Sequence, residues 1–309
     1  MIHPFKFLIK KLAGNFRDIF IKSVFGKKPV IMKKIYLLIL VLFPFFTQAQ
    51  SVCTPESRAK LESFLTQLPA LDKNQTPNQL AVEIGQWFLN TDYVEKTLEI
   101  PGPEQLVINL QGVDCTTFLE SVVALARLAK SGKNTMGSFE HELENIRYRY
   151  GKNEGYPSRL HYFSEWISRN EEKGILIDIT KEIGGVDYPN APTFMTENPQ
   201  FYPQLSDPEN LDELKKAEVE LSKKTFHFIP KDKIQSLESK IQSGDLIAIT
   251  TSIKNLDMVH VGFAFEKNGR IHLMHASSKN KKVEISDLPL SDYLAGNKSQ
   301  SGIMVGRLK

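Results

Sequence analysis

The chain changes its hydrophobic rhythm near residue 225. Upstream, apolar residues recur every three or four positions, the spacing of helices with one buried stripe. Thr54-Pro55-Glu56-Ser57 is a capped helix start, and Leu61, Phe64 and Leu68 follow it at helical spacing. A second helix is predicted from Asn78 to Leu89, with Leu80, Ile84 and Phe88 on one stripe. Leu106 to Leu110 alternates weakly, as a short strand does. The strongest helical pattern runs from Cys115 to Lys130, through Phe118, Leu119, Val122, Val123, Leu125, Ala126 and Leu128, with Gly132 beyond its end. Two more helices are expected over 137–149 and 158–172. Residues 186–206 are rich in Pro and Asn and predict a surface loop. A charged helix over 207–223 follows. Downstream the period becomes two: 244–250, 258–265, 270–275, 282–285 and 303–307 read as strands. Helices followed by adjacent strands predict an α+β fold with an antiparallel sheet. Residues 101–309 form the expected catalytic domain, and 50–100 a helical N-terminal elaboration.

The N-terminus stands apart from this pattern. MKKIYLLILVLFPFFTQAQ, starting at Met32, has two lysines, an apolar run from Ile35 to Phe46, and Thr47-Gln48-Ala49. That is the layout of a secretory signal over 32–49. The run is shorter than the roughly 20 residues a spanning helix needs. Gln50-Ser51-Val52 before Cys53 makes a poor lipoprotein signal. Residues 1–31 form an upstream extension, read as a start codon assigned too early, with a membrane-proximal segment as the alternative. Export places the mature chain in the periplasm or outside the cell, with no stable membrane insertion after cleavage. Cys53 then sits near a frayed terminus and is expected to stay unpaired.

Composition adds only bounds. The chain has 309 residues, 41% hydrophobic and 24% charged, and a net charge of +3, too weak to argue for nucleic acid. No phosphate-cradling glycine loop, zinc-type cysteine spacing or internal repeat appears. No cofactor is expected.

Chemistry concentrates in GVDCTTF, residues 112–118. A cysteine at a helix N-terminus meets unpaired N–H groups and partial positive charge, which favour its thiolate. The same N–H groups can hold an oxyanion. A small buried thiol would also fit there, so the histidines must decide. His3 lies outside the mature chain. His141 lies among glutamates on an exposed helix, His227 at a strand edge, and His272 between Arg270 and Met274. None of these points to catalysis. His260 and His275 flank Lys267-Asn268-Gly269-Arg270, a type I′ hairpin signal. That turn sets Lys267 opposite Arg270. Gly262 then faces His275, His260 faces Ser277, and the two histidines become diagonal neighbours on one face, roughly 7–8 Å apart. Gly262 and Ala264 leave room on that face, while Val259, Val261, Phe263 and Phe265 are expected to be core. Cys115 as nucleophile, His260 as base and His275 as its orienter follow as the catalytic expectation. A metal site is not expected, because the two histidines lack further ligands beyond Cys115.

In order, DCTTF (114–118), GDLI (244–247), HVGFAF (260–265) and MHASS (274–278) resemble the NlpC-type cysteine peptidases of bacterial cell walls, which have a papain-like fold. Thr116 departs from the serine commoner there. RYRYG (147–151), Gly155-Tyr156, SRLHYFSEWI (158–167) and SGIMV (301–305) resemble the N-acetylmuramoyl-L-alanine amidase-like branch. The resemblance spans roughly residues 80–309. It implies the triad Cys115, His260 and His275 and a nucleophile helix packed on an antiparallel sheet. It also implies a muropeptide or peptidoglycan substrate cut at the lactyl–L-alanine amide.

Muropeptides carry several carboxylates, and Arg147, Arg149 and Arg159 interleave with aromatic residues in that block. Together with Tyr156 and Tyr162 they are candidates for substrate binding, though core aromatics and helix-surface charges give the same pattern. His161 is expected to be packing, or at most to support a site residue from behind. A D-glutamyl–diamino acid endopeptidase, a thioester acyltransferase and a catalytically silent wall-binding module remain alternatives. A monomer is expected.

Overall fold

A computed structural model describes residues 51–309. The expected extension and signal segment lie outside the described residues. Seven longer helices are described: α1 (Pro55–Gln67), α2 (Pro77–Gln86), α3 (Cys115–Ser131), α4 (Met136–Arg147), α5 (Phe163–Glu172), α6 (Pro208–Ser222) and α7 (Leu290–Ala295). The strands are β1 (Val52–Cys53), β2 (Asp92–Tyr93), β3 (Val107–Ile108), β4 (Gly112–Val113), β5 (Leu176–Asp178), β6 (Val186–Asp187), β7 (His227–Pro230), β8 (Leu246–Thr251), β9 (Met258–Lys267), β10 (Arg270–Ser277), β11 (Lys282–Ile285) and β12 (Gln300–Leu308). Ten of them form one sheet in the order β4-β2-β11-β10-β9-β8-β12-β7-β6, with β5 also on β12.

The sheet is mixed, where a purely antiparallel one was expected. Its β2–β4 pair is parallel, with Asp92 opposite Gly112. Segment 94–111 between them is long enough for the crossover that a parallel pair requires. Two-residue strands of this kind carry no readable alternation.

α3 is buried on nearly every side, as a helix apolar all round must be. Its start is fixed by reciprocal bonds: the Asp114 carboxylate accepts the Thr117 N–H at 2.7 Å, and the Thr117 hydroxyl accepts the Asp114 N–H at 2.9 Å. Gly132, at φ 71°, closes the other end in the left-handed conformation. Phe118 of α3 meets Phe263 of β9 edge to face, centroids 5.9 Å apart. α1 and α2 supply Leu61, Phe64, Leu80 and Ile84 to the same core.

The sheet is covered on both faces. Ala248, Val261, Phe263, Met274 and Met304 join the α3 core. The alternating residues Ile247, Ile249, Ala264, Ile271, Leu273, Ile303 and Val305 pack with Leu290 and Leu294 of α7 in a second cluster. The expected hairpin forms. Asn268 and Gly269 take φ 56° and 73°, and pairing runs from Arg270↔Lys267 to Met274↔Phe263. Asp245 in the GDLI segment is fully buried. It accepts Asn78 Nδ2 at 2.7 Å and two bonds from Arg307 at 2.8 and 2.7 Å, tying α2 to β8 and β12. Gly244, at φ 88°, lets Asn78 approach: a Cβ there would lie 2.2 Å from the Asn78 carbonyl oxygen.

Candidate active site

β9 carries a bulge where it leaves β8. Ile249 pairs with His260 but Thr250 pairs with Met258, so Val259 is an extra residue. Val259 is therefore exposed, at 37%, rather than core as its alternation suggested. Phe265 is half-buried. The bulge brings Met258, Val259 and His260 to one pocket wall together with Val261.

The two imidazoles meet as the hairpin register required. His260 Nε2 lies 2.6 Å from His275 Nδ1, and the rings stand nearly perpendicular, at 89°. Gly262 makes this possible, because a Cβ there would come within 2.9 Å of the His275 Cβ. His275 is wholly buried, and the Tyr293 ring of α7 packs edge-on against it at 5.5 Å. Burial holds both rings neutral: it pulls His260 down to about 4 and His275 down to about 3, the latter helped by His260 itself.

Cys115 opens α3 and lines the same pocket as His260, a cavity of about 220 Å³. Its thiol departs from the expectation. Burial, then the neighbouring Asp114 carboxylate, push it up to about 12. Backbone hydrogen bonding from Val261 and the Thr116 hydroxyl and backbone act the other way and do not overcome this. The helix end therefore does not produce a resting thiolate, and the resting pair is neutral thiol and neutral imidazole. Among the described residues no hydrogen bond joins the sulfur to either ring. The residue is unpaired, as is Cys53.

The N-acetylmuramoyl-L-alanine amidase-like family, AmiA-like, matches residues 83–303. The chain belongs to this family. An N-acetylmuramoyl-L-alanine amidase from Bacteroides uniformis is similar at 41% identity over 75% of this chain and 99% of that one, with a TM-score of 0.72. A Bacteroides fragilis protein provisionally named a xylanase is 40% identical over 74% of this chain and 100% of that one, with a TM-score of 0.70. A Legionella pneumophila protein at 23% identity shares the fold, with a TM-score of 0.63 over 82% of this chain and 94% of that one. No curated protein matches. The amidase-like family is one of cell-wall hydrolases, so its substrate class is peptidoglycan.

The residues that suggested this family's substrate contacts separate into two groups. Tyr156 and Tyr162 line the pocket. Tyr162 donates to Glu218 at 2.7 Å and accepts the Met195 N–H at 2.7 Å, which ties loop 189–206 to the wall. The arginines sit in ion pairs instead. Arg147 is 2% exposed and bonds Glu120 at 2.8 Å and the Val107 carbonyl at 2.7 Å. Arg149 bonds both Glu165 oxygens, at 2.6 and 3.2 Å. Arg159 pairs with Glu99 and Glu104 and lies over the Tyr156 ring at 4.9 Å. None of the three guanidiniums lines the pocket, and each is already engaged by a carboxylate. Arg159→Ala should therefore lower stability by about 3 kcal/mol, the cost of stranding buried carboxylates. Thermal unfolding checks this, and an intact Tm with a raised KM would restore the anchoring role.

Several pocket residues either read as packing in the sequence, as His161 does, or are not singled out by it. His161 lines the wall, with Nε2 2.8 Å from the Tyr156 carbonyl oxygen and its ring tilted at 46° against that of Tyr156, centroids 4.4 Å apart. Burial, then Arg159, hold it well below the usual imidazole range. Glu99 and Asp257 also line the pocket. Glu99 is engaged by Arg159, while Asp257 accepts the Ser164 and Met258 N–H groups at 2.8 Å each. Glycoside hydrolysis by paired carboxyls would need one as proton donor and one as base or nucleophile. Asp257 has both oxygens committed to backbone N–H groups, and Glu99 has one oxygen held by Arg159. Glu99, Tyr202 and Asp257 come from distant loops and Met195 from the four-residue helix Phe194–Glu197, segments whose residue types carry no periodic signal.

Proposed function

We propose that the mature chain is an exported cysteine amidase that hydrolyses the amide between the muramic acid lactyl group and L-alanine in muropeptides. In this reading the fold is papain-like and NlpC-related, and the signal over 32–49 delivers the enzyme to the periplasm. The observation that carries the proposal is the sharing of one pocket by Cys115, at a helix N-terminus, and His260, whose Nε2 is held by His275. With Nε2 occupied, Nδ1 is the ring nitrogen left to act as base.

His260 takes the Cys115 proton as the sulfur attacks the lactyl carbonyl. The C–N bond breaks, and the amine of L-alanine leaves with that proton. A thioester remains. Water then attacks it, giving up a proton through His260, and the lactyl carboxylate and free thiol are released. In this reading the Thr116 and Val261 backbone groups that bond to the sulfur also stabilise the oxyanion. Because thiol and base are both neutral at rest, the ion pair forms as the carbonyl arrives, not before it.

Mass analysis of products from a defined muropeptide tests the bond assignment. A free lactyl acid and a peptide beginning with L-alanine are expected; a cut beyond D-glutamate would make the chain an endopeptidase. The pH profile tests the base. Only neutral His260 accepts a proton, so kcat/KM should be flat above pH 5 and fall as pH drops through about 4. An acid limb centred at 6.5 or higher would count against the buried imidazole as base.

A further inference from the structure

His275 is wholly buried, yet its Nε2 has no hydrogen-bond partner. A neutral imidazole carries one N–H and one lone pair, so the group facing Nε2 decides which sits there. That group is Glu284. It stands directly across from His275 in the β10–β11 register, and its Oε1 lies 3.9 Å from Nε2. The same oxygen accepts Asn280 Nδ2 at 2.7 Å, which tethers the carboxylate from the turn between the strands. Tyr293 covers the ring from the α7 side.

A lone pair aimed at a carboxylate is repelled and an N–H is attracted, and burial enlarges the difference. His275 then carries its proton on Nε2 and offers Nδ1 as an acceptor. Across the 2.6 Å contact the proton must belong to His260 Nε2, which leaves the lone pair of His260 on Nδ1. We infer that Glu284 is a positioning residue: through His275 it fixes the tautomer in which His260 presents Nδ1 as the base. This rests on the reading of Cys115 and His260 as nucleophile and base. It gives His275 a defined direction, as acceptor from His260 and donor toward Glu284.

Long-range ¹H–¹⁵N spectra of the ¹⁵N-histidine-labelled mature protein test it without substrate. Both His260 and His275 should be protonated on Nε2 between pH 6 and 8. Protonation of His275 on Nδ1 in the wild type would overturn the proposal, and this measurement needs no variant to fold. In Glu284→Ala, His275 should become a tautomer mixture and kcat should fall about 10–100-fold with KM little changed. Glu284→Asp should recover part of the loss. Unchanged tautomers and kcat in a folded Glu284→Ala would also overturn it. A wrong bond assignment would appear in the product analysis and leave the tautomers untouched. A wrong nucleophile would appear as turnover surviving Cys115→Ala.

Discussion

Replacing Cys115 by alanine should reduce kcat by about 10⁴-fold or more, since no other group in the proposed mechanism can form the acyl intermediate. The fold should tolerate the change. Helix α3 is started by the Asp114–Thr117 exchange, which alanine leaves in place. Cys115 is half-buried at a pocket wall, and losing one sulfur there should cost about 1 kcal/mol. Muropeptide binding, followed by calorimetry, should persist. The informative failure is a folded variant that keeps a tenth or more of its turnover, because that would move the nucleophile elsewhere. Cys115→Ser should be nearly as inactive: a hydroxyl is harder to deprotonate than the thiol, and a base held near 4 by burial is weak. Alkylation by iodoacetamide gives a substrate-free view of the same site. With the thiol pushed up to about 12, labelling of Cys115 should climb about tenfold per pH unit from 7 to 10 without a plateau.

What the sequence revealed depended on whether a feature was local and periodic. Asn268-Gly269 requires a particular turn, and that turn fixed the register of ten residues, the shared face of His260 and His275, and the need for Gly262 between them. α3 was legible because its apolar residues, its Asp114 cap and its Gly132 stop all agree on one helix. The parallel β2–β4 pair was not legible, since two residues cannot display a period. The α7 layer was missed too, although Leu290 and Leu294 close the second core under the histidines.

The electrostatics of the site were harder to read than its layout. A helix N-terminus argues for a thiolate only where solvent or a cation shares the charge. Here burial and Asp114 dominate, and no sequence pattern announces how deep a residue at a helix start will lie. The bulge at Val259 is a similar case, because one unpaired residue turned an expected core side chain outward.

Arg147→Met should cost about 3–5 kcal/mol and lower the Tm by roughly 10 °C, while leaving KM of the folded enzyme unchanged. An arginine interleaved with tyrosines looks the same in sequence whether it meets a substrate or a buried glutamate. The structure resolves Arg147 into the second case. Its Nε bonds Glu120 at 2.8 Å, its Nη1 bonds the Val107 carbonyl at 2.7 Å, and Glu120 also accepts the Trp166 indole N–H at 3.2 Å. Both charged side chains are 2% exposed. Removing the guanidinium strands a carboxylate inside the helix that carries Cys115, and its desolvation is then uncompensated. The charge rather than the lost volume should dominate. Adding Glu120→Gln to the same chain should therefore return much of the stability, since the amide oxygen it introduces can still accept from Trp166. If instead Arg147→Met held its Tm and raised KM, the guanidinium would be reaching substrate carboxylates, and its burial against Glu120 would not describe the working enzyme.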